Sequence, residues 1–148
     1  MEISEKTIFS CRLATINDID QICNSIDDRD FIRSFLERSV ASSYCHVALW
    51  NDKLIVGYAV LDYSFYAQAF ISMVLIHPLY RRQGVGLMLM NYLEERTVIT
   101  TKKLFTSTNL SNLAMQSLLT KLKYQLTGVI QNLDDGDPEL VYYKVRCV

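Results

Sequence analysis

The chain has 148 residues, 50% hydrophobic and 21% charged, which is enough apolar material for one globular domain over residues 1–148. A net charge of −1, with no lysine or arginine run longer than two, leaves no electrostatic footprint for nucleic acid. Apolar runs stop at about eight residues against the roughly 20 of a membrane helix, and Met1 to Ser10 has no secretory core, so no membrane partner and a cytoplasmic location are expected.

Phe9 to Leu13 reads as a short first strand, and Asn17 or Asp18 as the cap of a helix through Ile19, Ile22, Cys23 and Ile26. A second helix covers Phe31 to Val40, with Phe31, Phe35 and Leu36 on one face. Cys45 to Trp50 and Leu54 to Tyr63 make a hairpin across Asn51-Asp52, residue types that tolerate unusual backbone angles. Ala67 to Ile76 is a third long strand, stopped by His77 and Pro78. Val85, Met88, Leu89, Tyr92 and Arg96 then fall at helical spacing. A strand around Lys103 to Ser107, a helix from about Asn112 to Leu122 and strands Gln125 to Gln131 and Leu140 to Arg146 complete the chain. The order is α+β with a mostly antiparallel front half.

Cys11, Cys23, Cys45 and Cys147 are scattered singly, with no CxxC and no histidine at ligand spacing. They read as buried reduced thiols, and no metal site is expected. His46 lies in a strand pattern and His77 just before a proline, so both read as structural or incidental.

The most informative stretch is Arg81, Arg82, Gln83, Gly84, Val85, Gly86, which joins a strand to a helix through two arginines and two glycines. A helix that begins at glycine leaves its first N–H groups open, and the helix dipole favours an anion there. Arginine forks beside those amides match phosphate oxygens. A plain turn is the other reading of the same residues, because glycine pairs are common in turns. A Walker-type loop is excluded, since no Lys-Ser/Thr pair follows Gly86, and a dinucleotide fingerprint fits poorly because Leu89 stands where a third small residue belongs.

The wider string from Ile76 through His77, Pro78, Leu79, Tyr80 and Arg81 to Leu89 resembles the acetyl-CoA signature of the GCN5-related N-acetyltransferases (GNAT). In that family a strand ending in V-x-P leads into Y-R-x-x-G-x-G and a helix. Arg12 to Ile19 is also similar to the family's opening, an arginine strand followed by an acidic helix cap. The resemblance covers nearly the whole chain and implies the three-layer acyl-CoA N-acyltransferase fold, a mixed, mostly antiparallel sheet flanked by helices. It implies acetyl-CoA as co-substrate, an amine acceptor and no metal, with a homodimer left open. By the same resemblance, backbone groups of Val74, Leu75 and Ile76 meet the pantetheine arm. Arg82, Gln83, Gly84, Val85, Gly86 and Leu87 hold the pyrophosphate, and Arg81 flanks it.

Asn112 to Tyr124 matches a third family segment, usually N-x-x-A-x-x-x-Y-x-x-x-G-F, so Asn112 takes the asparagine position that hydrogen-bonds near the cofactor. Leu119 stands at the usual tyrosine position and Lys123-Tyr124 replaces Gly-Phe. Leu119 has no proton to give and sits on an apolar helical face with Met115, Leu118 and Leu122. The glutamate frequent on the strand after the helix is also missing, since that strand reads Leu104, Phe105, Thr106, Ser107. Asp62, Glu139 and Tyr124 remain as catalytic candidates, with Tyr142 and Tyr143 as further tyrosines. Asp134, Asp135, Gly136, Asp137, Pro138 reads as a solvated turn that would attract a cationic amine if it faced the thioester. An acetyltransferase that works mainly by positioning and an acyl-CoA-binding module without turnover both fit this pattern.

Overall fold

The computed structural model describes residues 8–97 and 102–146, so Cys147 and most of the Met1 to Ser10 segment lie outside the described residues. Seven strands and four helices follow along those residues. They are β1 (Phe9–Leu13), α1 (Ile19–Ser25), α2 (Ile32–Ala41), β2 (Cys45–Trp50), β3 (Leu54–Phe65), β4 (Gln68–Ile76), α3 (Val85–Thr97), β5 (Lys103–Asn109), α4 (Leu113–Lys121), β6 (Gln125–Ile130) and β7 (Glu139–Val145). The strands hydrogen-bond in the order β1-β2-β3-β4-β5-β7-β6. The β1–β2, β2–β3, β5–β7 and β6–β7 ladders are antiparallel, and β4–β5 is parallel. This is the α+β, mostly antiparallel arrangement the element order implies.

Two compact units divide the chain, one of residues up to Val60 with Met73–Leu89, the other of Leu61–Ser72 with Met90 onward. In the first unit, Ile19, Ile22, Ile32 and Leu36 from α1 and α2 pack with Val47, Leu49, Ile55 and Tyr58 from β2 and β3. Asn51 and Asp52 both adopt positive φ, 51° and 57°, as a tight two-strand turn requires. Asp18 differs from its expected role. Its carboxylate turns back to accept from the Thr15 N–H at 2.7 Å and from both Arg12 amines at 2.7 and 2.9 Å, so it closes the turn before α1 rather than capping α1 itself.

A buried acid fixes the link between α1 and α2. Asp27 is 3% exposed, accepts from the Tyr58 hydroxyl at 2.5 Å, and is forked by Arg29 at 2.8 and 2.7 Å. Burial pushes its carboxyl up, but the Arg29 and Tyr58 hydrogen bonds outweigh that and hold it below the usual range. A carboxyl lowered on folding stabilises the native state above its unfolded pKa, near 3.9, and the contribution is lost as pH falls through the lower folded value. Asp27→Asn is therefore expected to lower stability by about 2 kcal/mol at neutral pH. The difference from wild type should close below about pH 4, read from guanidinium midpoints measured at each pH.

The second unit is built on β5, whose residues alternate in burial so that Leu104, Thr106 and Thr108 point inward. The buried Thr106 hydroxyl donates to the Ile71 carbonyl at 2.9 Å, beside the parallel pairs Phe70↔Phe105 and Ile71↔Thr106. Glu94 of α3 is 9% exposed and accepts from the Tyr124 hydroxyl at 2.8 Å and from Lys144 Nζ at 3.0 Å. Lys123 holds φ 68°, with its N–H on the Thr120 carbonyl and the Tyr124 N–H on the Leu119 carbonyl, a complete Schellman ending for α4. Lys123 thus takes a left-handed step although it is not a glycine. Among the described residues strand β6 bonds to β7 on one side only, and the register slips between Leu126 and Gly128. Leu126, Val129 and Ile130 on this edge are exposed.

Candidate active site

Strand β4 ends by design at His77. The His77 N–H donates to the Val56 carbonyl at 2.8 Å, while its ring Nδ1 accepts from the Leu79 N–H at 3.1 Å and caps the short turn Pro78–Tyr80. This gives His77 the structural role its position suggested. Backbone groups of successive strand residues alternate in direction. With His77 bonded to β3, Ile76 turns its N–H and carbonyl away from β3, and Leu75 turns its own toward it. The Arg81 Nε bonds the Ile76 carbonyl at 3.1 Å on that outer side, which anchors the arginine beside the strand end.

Two residues then leave the right-handed region. Arg82 has φ 60° and Gly84 φ 80°, with Gln83 between them tied through its amide to the Leu79 carbonyl at 3.3 Å. A left-handed arginine costs about 1 kcal/mol or more, so this loop is held by its surroundings. The Gly84 carbonyl receives the Met88 N–H at 3.0 Å, the first closed turn of α3. The N–H groups of Val85, Gly86 and Leu87 therefore precede the helical ladder. Arg81, Arg82, Gln83 and Gly84 are exposed, Val85 is buried, and Gly86 and Leu87 are half-buried. The result is a helix start preceded in the chain by two exposed arginines, chemistry suited to a pyrophosphate.

Sequence reading passed over Gly57. A Cβ there would lie 2.6 Å from Ile76 Cδ1 and 3.0 Å from the Leu75 carbonyl oxygen, so β3 can approach the end of β4 only through a glycine. The ladder also slips here, pairing Ala48 with Gly57 and Leu49 with Ile55, which leaves Val56 as the extra residue. An isolated glycine inside Leu54 to Tyr63 is the signal that could have found it.

The second unit holds the remaining candidates. Asp62 is buried and saturated, accepting from the Ser64 N–H at 2.9 Å, the Ser64 hydroxyl at 2.6 Å and the Ser72 hydroxyl at 2.8 Å. The Tyr124 hydroxyl is buried and committed to Glu94; burial, with Glu94 beside it, pushes its pKa well above the ordinary tyrosine value. Tyr142 is buried, and Tyr143 stacks on Phe105 with ring centres 5.9 Å apart. Glu139 is half-buried, paired across the ladders with Asn109 and Ile130, and its carboxylate has no hydrogen bond or ion pair among the described residues. Asn112 caps α4, accepting the Met115 N–H at 3.1 Å. Leu119 is fully buried, as core lining.

Among the described residues no cluster of side chains could hold a metal, and no helix is long and apolar enough to cross a membrane. Cys11, Cys23 and Cys45 form no disulfide among the described residues, and burial pushes the Cys45 thiol up to about 12.

No curated protein gave a significant sequence match. Among solved structures, the chain is similar to an acetyltransferase of the GNAT family from Bacillus cereus ATCC 10987, with a TM-score of 0.84 and 29% identity over 95% of this chain and 99% of that one. It shares its fold with the ribosomal-protein-S18-alanine N-acetyltransferase from Escherichia coli, at TM-score 0.80 and 16% identity over 95% and 96% of the two chains. The same holds for a chain of the NatC complex bound to Gag peptide and CoA, at TM-score 0.78 and 11% identity over 94% and 99%. The model of the acetyltransferase (GNAT) family matches residues 13–124, a span that runs from the end of β1 past α4 and takes in the whole arginine-glycine turn. On that match, and on a strand order and helix start that agree with it, the chain belongs to the GNAT family of acetyltransferases.

Proposed function

We propose that the chain transfers an acetyl group from acetyl-CoA to a primary amine, on a small molecule or on a protein or peptide, by direct attack in a ternary complex. The observation that carries this reading is the start of α3, where the Val85 to Leu87 amides precede the helical ladder directly after the exposed Arg81 to Gly84 turn. Family membership supports acetyl transfer, and the NatC relative was solved with CoA bound. In this reading Arg82 to Leu87 hold the pyrophosphate, Arg81 flanks it, and the outward backbone groups of Val74 and Ile76 meet the pantetheine arm and the thioester.

The chemistry asks little of side chains. An amine with a lysine-like pKa near 10.4 must lose a proton before it attacks, whereas the coenzyme A thiolate, with a thiol pKa near 8.5, leaves without a dedicated acid. Asp62 and Tyr124 are already occupied by partners, whereas Glu139 has no side-chain hydrogen bond or ion pair among the described residues and stays the carboxylate candidate for a base. Backbone N–H groups stabilise the oxyanion, and rate comes chiefly from holding amine and thioester together.

A module that binds acyl-CoA without turnover is the second reading. It is favoured by the fully buried Leu119 at the usual tyrosine position and by the Tyr124 hydroxyl held on Glu94. An assay of thiol release from acetyl-CoA separates the two, run against polyamines, amino acids, aminoglycosides and N-terminal peptides. Turnover of any amine is the expected result. Tight acetyl-CoA binding with no turnover across the panel would leave the module reading standing.

A further inference from the structure

We infer that Gly57 is a positioning residue for the oxyanion donor: its missing side chain seats the Leu75 carbonyl against β3 and so aims the Ile76 N–H outward. The inference rests on the acetyl-CoA reading above and assigns one donor within it.

The geometry is a chain of short steps. The peptide between Leu75 and Ile76 is trans, like every other described peptide, so its carbonyl and N–H point in opposite directions. The Leu75 oxygen lies only 3.0 Å from where a Cβ of residue 57 would stand, and Ile76 Cδ1 lies 2.6 Å from it. Any side chain at 57 must move both. The isoleucine tip can turn aside, but the carbonyl belongs to the backbone, and moving it by a few tenths of an ångström rotates the N–H on the far side of the same peptide. Two further bonds hold the segment in place, His77 N–H to the Val56 carbonyl at 2.8 Å and Arg81 Nε to the Ile76 carbonyl at 3.1 Å. The Ile76 carbonyl is therefore taken by Arg81, which leaves its N–H as the group of that residue open to a developing oxyanion.

The test uses ¹⁵N-labelled protein titrated with acetyl-CoA, together with thermal melting, for wild type, Gly57→Ala and Gly57→Ala/Ile76→Val. In wild type the Ile76 amide resonance should shift along with those of Val85, Gly86 and Leu87. Gly57→Ala should melt lower and lose most of the Ile76 shift. The double variant removes the 2.6 Å contact with Ile76 Cδ1 but keeps the 3.0 Å contact with the Leu75 oxygen, so its melting should recover while the acetyl-CoA-induced shift of the amide at position 76 does not. With an acceptor in hand, kcat of the double variant should fall about tenfold at nearly unchanged acetyl-CoA KM, as expected for a slightly misplaced donor. A purely structural glycine would recover both readouts together, and that outcome would overturn the inference. So would an Ile76 amide that stays silent while the Val85 to Leu87 amides shift. If none of these amides responds in wild type, the acetyl-CoA reading fails instead, and the assignment of Gly57 with it.

Discussion

Replacing Gly84 with valine is expected to raise the acetyl-CoA dissociation constant at least about 100-fold, a loss near 2.7 kcal/mol, while the protein still folds. Gly84 is exposed, holds φ 80°, and has no atom within 4 Å of an added Cβ. A β-branched residue meets no neighbour there, but it pays about 1–2 kcal/mol to stay left-handed. The free loop escapes that strain by relaxing to right-handed or extended backbone, which is why the fold survives. In the proposed site, binding has to restore the strained loop, with two methyl groups now where the phosphates would dock. Gly84→Ala should sit between, near tenfold, because it carries the strain without the extra methyls. Calorimetric titration with acetyl-CoA, beside circular dichroism of each variant, gives the comparison. Unchanged affinity in Gly84→Val would remove the pyrophosphate from this loop.

The largest loss of stability is expected from Glu94→Ala, at about 3 kcal/mol and roughly 10 °C in melting temperature. Glu94 draws together residues 30 and 50 positions away, Tyr124 through its hydroxyl and Lys144 through both carboxylate oxygens at 3.0 and 3.2 Å. Lys144 also lies over the Tyr124 ring, 5.4 Å from its centre. Removing the carboxylate strands a buried hydroxyl and a half-buried ammonium together, and the penalty is the desolvation of both. Next to this cluster the Thr97 hydroxyl donates to the Glu94 carbonyl at 2.9 Å and accepts from Arg146, so the last turn of α3 should loosen as well. Glu94→Gln keeps an acceptor for the tyrosine and should lose less than half as much. Equal melting of Glu94→Ala and wild type would show that the cluster contributes nothing net.

What could be read from the sequence was what is local. The Asn51-Asp52 turn, the strand stopped at His77-Pro78 and the helix opened at Gly84 each carry their cause within a few residues, and each stands where the reading puts it. Apolar runs placed β2 and β3 because burial on both faces leaves little ambiguity of type. Glu94 was silent, because an acid in the run Glu94-Glu95-Arg96 looks like any solvated helix face, and its lysine comes 50 residues later. Asp62 could be named as a carboxylate, but not as one already holding three donors. Asp18 was legible as a cap residue by type, whereas the direction its carboxylate takes depends on Arg12 reaching it across the turn. Gly57 looked like an ordinary strand residue until the end of β4 was seen pressed against it.

The slipped register of β6 has a colloidal consequence. From Gln125 to Ile130 the edge strand carries no charge and no proline, and it shows Leu126, Val129 and Ile130 to solvent. Sheets usually guard such an edge with lysines or prolines; here the irregularity at Thr127 is the device that keeps the strand from offering a straight row of amides and carbonyls to another molecule. A deletion of Thr127 that regularised the strand is therefore expected to make concentrated samples associate edge to edge, so one surplus residue bears on how the protein behaves in a crowded solution.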